Sequence, residues 1–104
     1  MATIVAKIAD VPVGEARQVV LEGREVCLAN LGAEGFRAIG DLCSHAEAQL
    51  HEGEVDAEEG TIECPRHGSL FDLNTGKPRS LPATLPVATY EVSTEGDDVL
   101  IEVR

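Results

Sequence analysis

Two short cysteine–histidine pairs stand out in this chain of 104 residues. The first pair lies in CSH at 43–45 and the second in CPRH at 64–67, which gives the pattern C-x-H-x18-C-x2-H. Each pair brings one thiolate and one imidazole close together, and both groups are ligands of zinc and of iron–sulfur clusters. The sequence therefore predicts one metal centre with four ligands: Cys43, His45, Cys64 and His67.

The order of the ligands bears on which metal this centre would hold. Structural zinc sites usually keep like ligands together, as a cysteine pair followed by a histidine pair. Here each pair mixes the two types, which fits a dinuclear [2Fe–2S] cluster whose one iron takes both cysteines and whose other iron takes both histidines. A structural zinc module stays open as the alternative at this point.

The elements that must position these pairs are short β segments separated by turn residues, with no helical periodicity. The segments at 3–8, 17–21, 24–31 and 36–39 predict an antiparallel meander over the first forty residues, with Ile4, Ala6 and Ile8 on one face of the first strand. Glu22-Gly23 predicts a tight hairpin turn.

The amino-acid composition changes between residues 40 and 84, where Gly, Pro, Ser, Asn and Asp are frequent. Short strands are expected at 61–64 and 69–72, a turn at 74–76, and at most one helical turn within 44–51. Further along, 87–92 is expected to pair with 99–103 across a turn at 94–98. The predicted fold class is all-β: a small antiparallel β-sandwich with an inserted loop-rich subdomain.

We expect a single domain, 1–104, because the chain is too short for two full cores. Residues 1–39 and 85–104 would form the basal β-sandwich, and residues 40–84 would form the cluster-binding subdomain. Three cysteines do not make a disulfide framework, and Cys27, between apolar neighbours, is expected to be a buried, inert thiol.

The charge balance of 8 basic and 19 acidic residues gives a formal net charge of −11. Such a chain would be repelled by nucleic acid, whereas it suits docking to a basic patch on another protein, or simply high solubility. No apolar run is long enough to span a membrane, and the first residues lack the features of a signal peptide. We therefore expect a cytoplasmic protein.

The two pairs, with Gly68 and Ser69 after the second, resemble the two cluster-binding boxes of Rieske proteins. Chain length and strand pattern are similar to those of the Rieske-type ferredoxins of bacterial aromatic-ring-hydroxylating dioxygenase systems. The resemblance implies a Rieske-like β-sandwich and one Rieske-type [2Fe–2S] cluster on Cys43, His45, Cys64 and His67. It also implies transient partners in aromatic hydrocarbon catabolism, namely a flavoprotein NAD(P)H-dependent ferredoxin reductase and a terminal oxygenase, and a monomeric carrier.

Some positions depart from the respiratory branch of this family. Respiratory Rieske proteins resemble this chain but carry an extra disulfide cysteine in each box, where Ala48 and Arg66 stand here, and a tyrosine where Phe71 stands. Ser69 is retained, and its hydroxyl is expected to reach a cluster sulfide. Fewer hydrogen bonds to sulfur stabilise the reduced cluster less, so we expect a potential at the low end of the roughly −150 to +300 mV Rieske range.

The resemblance also suggests roles for residues around the pairs. It implies that 81–83 forms a third loop that shields the cluster. Gly68 would either let backbone N–H groups approach the cluster or serve as a plain turn glycine. Leu42 and Leu50 would either cover the flanks of the cluster or belong to the ordinary core, and His51 is expected to be a solvated loop histidine.

The number of histidines separates a carrier from a catalyst. A Rieske oxygenase also needs a mononuclear iron with two further histidines and a carboxylate, which makes four histidines, and this chain has 3. No G-x-G-x-x-G nucleotide-binding motif is present. The sequence therefore predicts an electron carrier that is not itself an enzyme. The alternative is a Rieske-like small subunit of a larger reductase, such as nitrite reductase.

Overall fold

The computed structural model describes residues 2–44, 48–66, 68–81 and 83–102. Within these ranges the chain forms short strands and three single turns of 3₁₀ helix, at Ile8–Asp10, Gly32–Glu34 and Leu50–Glu52. None of these described helical turns has the length and apolar character that crossing a bilayer requires. The strands are β1 (Ala2–Lys7), β2 (Ala16–Leu21), β3 (Arg24–Asn30), β4 (Phe36–Gly40), β5 (Val55–Asp56), β6 (Thr61–Glu63), β7 (Leu70–Asp72), β8 (Thr89–Tyr90), β9 (Val92–Glu95) and β10 (Asp98–Glu102).

The strands form three antiparallel sheets, ordered β1-β10-β9, β2-β3-β4-β8 and β5-β6-β7. The predicted all-β class is confirmed. The middle sheet, β2-β3-β4-β8, contributes to two hydrophobic cores. One core joins it to the β1-β10-β9 sheet, and the other joins it to the β5-β6-β7 sheet and to the cysteines of both pairs.

Strand β3 explains why residues 26–29 are apolar without alternation. Val26 and Leu28 face the core shared with β10, whereas Cys27 and Ala29 face the core that contains the cysteine pairs. All four side chains are fully buried. A strand covered on both faces needs no polar side, so its sequence is a continuous hydrophobic run.

The β2–β3 hairpin forms at the predicted turn. Glu22 and Gly23 both have positive φ, 50° and 80°, and both connect directly paired strand ends, since Leu21 is opposite Arg24. Two consecutive residues with positive φ define the primed turn whose twist suits a hairpin. The predicted turn at 74–76 also forms, with the Asp72 carboxylate accepting the N–H groups of Asn74 and Thr75 at 2.7 and 3.3 Å.

The prediction that the first strand belongs to the meander is wrong. β1 pairs with β10 near the other end of the chain, and only β2, β3 and β4 form the meander. A bulge lies between Ile4 and Ala6, and it ends the strict alternation of faces. As a result Ile4 is 58% exposed, while Val5 packs with Ala6 and Ile8 against the core.

The prediction for 87–92 is also partly wrong. The structure divides this stretch: β8 pairs with β4 in the middle sheet, and β9 begins at Val92 and pairs with β10. The chain changes sheets near Glu91, so one predicted strand becomes two short ones. The turn is correspondingly tighter than predicted, because Glu95 is opposite Asp98. The end of the predicted partner strand, Val103, lies outside the described residues.

The β5-β6-β7 sheet lies within 40–84, and its two-residue strand β5 was not predicted. The core beneath it is shared, since Ala16, Cys27, Ala29 and Ile39 of the middle sheet belong to the same buried cluster as Leu50 and Ile62. The division of the chain into 1–39 with 85–104 and 40–84 stays a prediction.

Candidate metal centre

The cysteines of the two pairs are brought into one buried cluster. Cys43 is 4% exposed and Cys64 is 1% exposed, and both pack in the core that contains Leu50, Ile62 and Phe71. Their predicted companions, His45 and His67, lie outside the described residues. Among the described residues no group of three or more His, Cys, Asp or Glu side chains could hold a metal ion. The assignment of the four ligands therefore stays a prediction.

The loops that begin at the two cysteines are closed in the same way, and we call them the first arm (residues 43–48) and the second arm (residues 64–69). The N–H of Cys43 donates to the carbonyl of Ala48 at 2.9 Å, and the N–H of Cys64 donates to the carbonyl of Ser69 at 2.7 Å. In both arms the acceptor is the fifth residue after the cysteine. Each predicted cysteine ligand therefore begins a loop that is closed over the same number of residues.

Gly68 acts as a turn glycine. Its φ is +74°, a left-handed conformation that favours glycine, and its N–H donates to the carbonyl of Cys64 at 3.0 Å. Because that N–H is already bonded within the second arm, the turn interpretation is the better supported of the two predicted roles.

The first arm follows the end of β4, and Asp41 lies between them. Sequence reasoning did not single out Asp41. Asp41 is fully buried, and its carboxylate accepts hydrogen bonds from the backbone N–H of His51 at 2.8 Å and from Gln18 Nε2 at 2.8 Å. The only sequence signal was Gly40-Asp41, which is indistinguishable from an ordinary turn.

His51 is correspondingly not the solvated loop histidine that was predicted. Its side chain is only 22% exposed, and its Nδ1 lies 2.6 Å from Oδ2 of Asp41. At this distance the imidazole of His51 and the carboxyl group of Asp41 share a side-chain hydrogen bond. The 3₁₀ turn Leu50–Glu52 packs on the middle sheet, which brings His51 to the buried Asp41.

The second arm connects β6 to β7 and rests on the residues that follow the 3₁₀ turn. The N–H of Glu63, one residue before Cys64, donates to the carbonyl of Glu54 at 2.9 Å. A Cβ added to Gly53 would overlap the carbonyl oxygen of Glu63 and lie 2.9 Å from its carbonyl carbon. The contact is therefore possible only for glycine, and it fixes the base of the second arm against the chain leaving the first.

The predicted third loop, 81–83, contacts the second arm, and Leu85, two residues after it, contacts the first arm. The N–H of Ala83 donates to Ser69 Oγ at 3.1 Å, and Ser44 Oγ donates to the carbonyl of Leu85 at 2.5 Å. The N–H of Leu70 also donates to Ser80 Oγ at 2.9 Å. Pro82 lies outside the described residues, but the segments on either side of it tie the two arms together.

The leucines near the arms have different environments. Leu50 is fully buried and belongs to the core, whereas Leu42 is 58% exposed, Leu81 is 78% exposed and Leu85 is 64% exposed. Leu42 lies immediately before the first arm, Leu81 lies in the third loop, and Leu85 lies two residues after that loop. Large apolar side chains left in water on several segments of one region mark a candidate contact surface.

The residues behind the second arm fit a buried iron–sulfur cluster. Ser69 and Phe71 are fully buried. Ser69 Oγ already accepts the N–H of Ala83, so its hydrogen is the group left to donate toward sulfur. Phe71 offers no hydroxyl at all. Cys43 and Cys64 supply two buried sulfur atoms. Such soft ligands, kept away from water by the core, suit an iron–sulfur cluster.

Cys27 does not belong to the site. It lies fully buried on β3, and burial, with the nearby Asp41 charge as a second cause, raises the pKa of its thiol far above its ordinary value. A thiol that stays protonated is neither a nucleophile nor a metal ligand, as predicted for this residue.

Comparison with known proteins bears on the family of this chain. The model of the Rieske [2Fe–2S] domain family matches residues 1–91. The chain is 45% identical over 96 residues to the 3-phenylpropionate/cinnamic acid dioxygenase ferredoxin subunit of Shigella flexneri, covering 92% of this chain and 88% of that protein.

Solved structures show the same similarity. The ferredoxin of carbazole 1,9a-dioxygenase from Nocardioides aromaticivorans IC177 superimposes with a TM-score of 0.93 at 36% identity, covering 100% of this chain and 99% of that one. A chain from a complex of reduced oxygenase and oxidized ferredoxin in carbazole 1,9a-dioxygenase gives a TM-score of 0.86 at 34% identity, covering 96% and 91%.

The all-β fold and the two buried cysteines of the arms fit an iron–sulfur protein. The chain belongs to the Rieske [2Fe–2S] domain family. Its cofactor is a Rieske-type [2Fe–2S] cluster, and its role is that of a ferredoxin, an electron carrier and not a catalyst. A structural zinc module, left open by ligand chemistry alone, is thereby set aside.

Proposed function

We propose that this chain is the ferredoxin component of a bacterial aromatic-ring dioxygenase system. It accepts one electron at a time from a flavoprotein NAD(P)H-dependent ferredoxin reductase and passes it to a terminal Rieske non-haem iron oxygenase. The observation that carries the proposal is the pair of equally closed arms, whose cysteines are buried in one core. Exposed leucines lie just before the first arm and within 81–85. The similarity to dioxygenase ferredoxins supports the choice of partners.

We propose that Cys43 and Cys64 bind one iron of the cluster and that His45 and His67 bind the other. The cluster supplies a site that gains and loses a single electron. The described residues contribute the rest: the core keeps water from the two cysteine sulfurs, and the buried hydroxyl of Ser69 is the group that we propose donates to a cluster sulfide. Phe71 adds no second hydroxyl, so the reduced cluster is stabilised less than it would be with a tyrosine at this position. A low midpoint potential is therefore expected.

The docking surface that we propose combines Leu42, Leu81 and Leu85 with the negative field of the whole chain. Burial of three exposed leucines gives a small apolar contact, suited to a complex that must dissociate after each transfer. The net charge of −11 would steer the chain to basic surfaces on both partners, raising the association rate more than the affinity. The carrier would act as a cytoplasmic monomer, with residues 40–84 as the cluster-binding subdomain.

Metal analysis with spectroscopy tests the cofactor and its ligands. The purified chain is expected to contain two irons and acid-labile sulfide, and its reduced form is expected to give a rhombic EPR signal. His45→Cys is expected to lower the midpoint potential, because a thiolate adds negative charge to the cluster. One zinc per chain would refute the cofactor, and an unchanged potential in His45→Cys would show that His45 is not a ligand.

Reconstitution tests the place of the chain in electron transfer. With a reductase and an oxygenase of this class, NAD(P)H oxidation coupled to ring dihydroxylation is expected only when the ferredoxin is added. The transfer rate is expected to fall as salt rises, since salt screens the steering field. A chain that co-purifies as a permanent subunit of a larger reductase, rather than as a free monomer in gel filtration, would favour the nitrite-reductase alternative.

A further inference from the structure

We propose that Asp41 is the positioning residue of the first arm: its buried carboxylate fixes the neck of the loop that carries Cys43. The inference rests on the proposed function, because it gives Asp41 its purpose through the ligands of that arm. Ala48 and Arg66 carry no sulfur, so no covalent bond can brace the arms at those positions. The neck of the first arm is held by hydrogen bonds instead.

The carboxylate joins two separate parts of the chain. Its Oδ1 accepts the backbone N–H of His51 at 2.8 Å, and its Oδ2 accepts Gln18 Nε2 at 2.8 Å and lies 2.6 Å from His51 Nδ1. Gln18 lies on β2 of the middle sheet, whereas His51 lies where the chain returns from the first arm. One side chain therefore ties both ends of the loop to the rigid sheet.

Backbone bonds at the same residue complete the neck. The N–H of Asp41 donates to the carbonyl of Glu25 at 3.1 Å, and its carbonyl accepts the N–H of Leu50 at 2.6 Å. Beyond the neck, the Leu42–Gln49 bridge and the Cys43–Ala48 bond continue the closure. Cys43 is thus only two residues from a point that is fixed by bonds to β2, β3 and the 3₁₀ turn.

The chemistry of the position requires an acceptor with more than one oxygen. Asp41 is fully buried, and a buried carboxylate is tolerated only when its oxygens are well bonded, as these are. Alanine would remove the acceptor of the His51 N–H and of the Gln18 amide, which are both half-buried. Asparagine would keep one acceptor oxygen for the His51 N–H and would therefore preserve part of the neck.

The test compares Asp41→Ala and Asp41→Asn with a matched control, Asp56→Ala. The Asp56 carboxylate also accepts two backbone N–H groups, those of Glu58 and Glu59 at 3.1 and 3.0 Å, but in the turn between β5 and β6. The measurements are the rate of iron release to a chelator, the linewidths of the reduced EPR signal, and the denaturant midpoint of each variant.

Asp41→Ala is expected to release iron on the order of tenfold faster than wild type, as for the loss of other supports behind metal ligands, and to broaden the EPR lines. Asp41→Asn is expected to give iron release and linewidths between those of Asp41→Ala and wild type, whereas Asp56→Ala keeps wild-type release and linewidth. Wild-type release and linewidth in Asp41→Ala would overturn the inference. So would an acceleration that Asp56→Ala reproduces at an equal loss of stability.

If Asp41→Ala does not fold, His51→Ala and Gln18→Ala test the inference, since each removes one bond to the carboxylate. Each is expected to release iron faster than Asp56→Ala, and equality of all three rates would overturn the inference. Hydrogen exchange of the Cys43 and Leu50 amides in the iron-free chain separates the two proposals. A chain that never binds iron would refute the ligand assignment. If these amides still exchange faster in the Asp41, His51 and Gln18 variants than in the wild-type chain, the brace stands.

Discussion

Gly53 is the position where a single methyl group should do the most damage to the site. In the Gly53→Ala variant, the new Cβ overlaps the carbonyl oxygen of Glu63 and is also 3.3 Å from the carbonyl oxygen of Leu50. Both neighbours are backbone atoms, so no side chain can rotate away. The strand that leads to Cys64 must therefore move away from the chain that leaves the first arm.

The size of the effect follows from these contacts. Overpacking in a well-packed region costs about 1–3 kcal/mol, and the upper end applies because backbone must move. Loss of the adjacent bond between Glu63 N–H and the Glu54 carbonyl adds about 1 kcal/mol. Against this, replacing glycine restricts the unfolded chain and returns about 0.4–1 kcal/mol. The net loss is about 3 kcal/mol, or a fall in the melting temperature of roughly 12–24 °C for a chain of this size.

Gly40→Ala is the matched control, because it makes the same chemical change on β4 with open contacts. A Cβ there would be 3.7 Å from the Ala88 nitrogen and 3.8 Å from Val87, which are ordinary distances. Thermal unfolding followed by circular dichroism, together with the iron content after purification, compares the two variants. Gly53→Ala is expected to melt well below Gly40→Ala and to carry less iron. Equal melting temperatures and equal iron would refute the argument that this contact sets the spacing of the arms.

Three further changes test the surroundings of the cluster. Phe71→Tyr places a hydroxyl in the buried position behind the second arm and is expected to raise the midpoint potential in a redox titration. Ser69→Ala removes the acceptor of the Ala83 N–H and is expected to cost about 1–3 kcal/mol in denaturant unfolding, with a lower potential. Cys27→Ala removes a thiol whose pKa is raised by burial. The unfolded thiol titrates near its ordinary pKa of 9.0, so wild type is expected to lose stability relative to Cys27→Ala above that pH, by about 1.4 kcal/mol per pH unit.

Each of these changes has its own control. Tyr90→Phe, the reverse exchange on β8, should leave the potential unchanged, and a Phe71→Tyr potential at or below wild type would contradict the first expectation. Ser93→Ala on exposed β9 should be nearly neutral, and equal stability of Ser69→Ala would contradict the second. For Cys27 the comparison is internal: below pH 8 the stability difference should be constant, and parallel curves through pH 10 would contradict a raised thiol pKa.

Local patterns predicted the parts of the fold that depend on neighbouring residues. The Glu22-Gly23 turn joins two strands in direct register, so composition alone located the hairpin. The two arms were found because their ligand types and spacing are specific to a chemistry rather than to a shape. The burial of both cysteines in one core agrees with that prediction.

Contacts between residues far apart in the chain could not be predicted from the sequence. Nothing local distinguishes a β1 that joins β2 from one that crosses to β10, because either edge would satisfy its backbone. The bulge at Ile4 shifts the exposed face by one residue, and a period of two cannot anticipate it. His51 was assigned to solvent because its partner, Asp41, lies ten residues away and is buried only once the 3₁₀ turn packs on the sheet.

The two-sided burial of β3 limits how far this protein can be treated as modular. Cys27 and Ala29 form part of the floor under the arms, while Val26 and Leu28, on the same strand, complete the opposite core. A transplanted 40–84 segment would leave this floor behind, and the remaining sandwich would expose it to water. Grafting the two arms onto another scaffold therefore requires carrying the middle sheet with them.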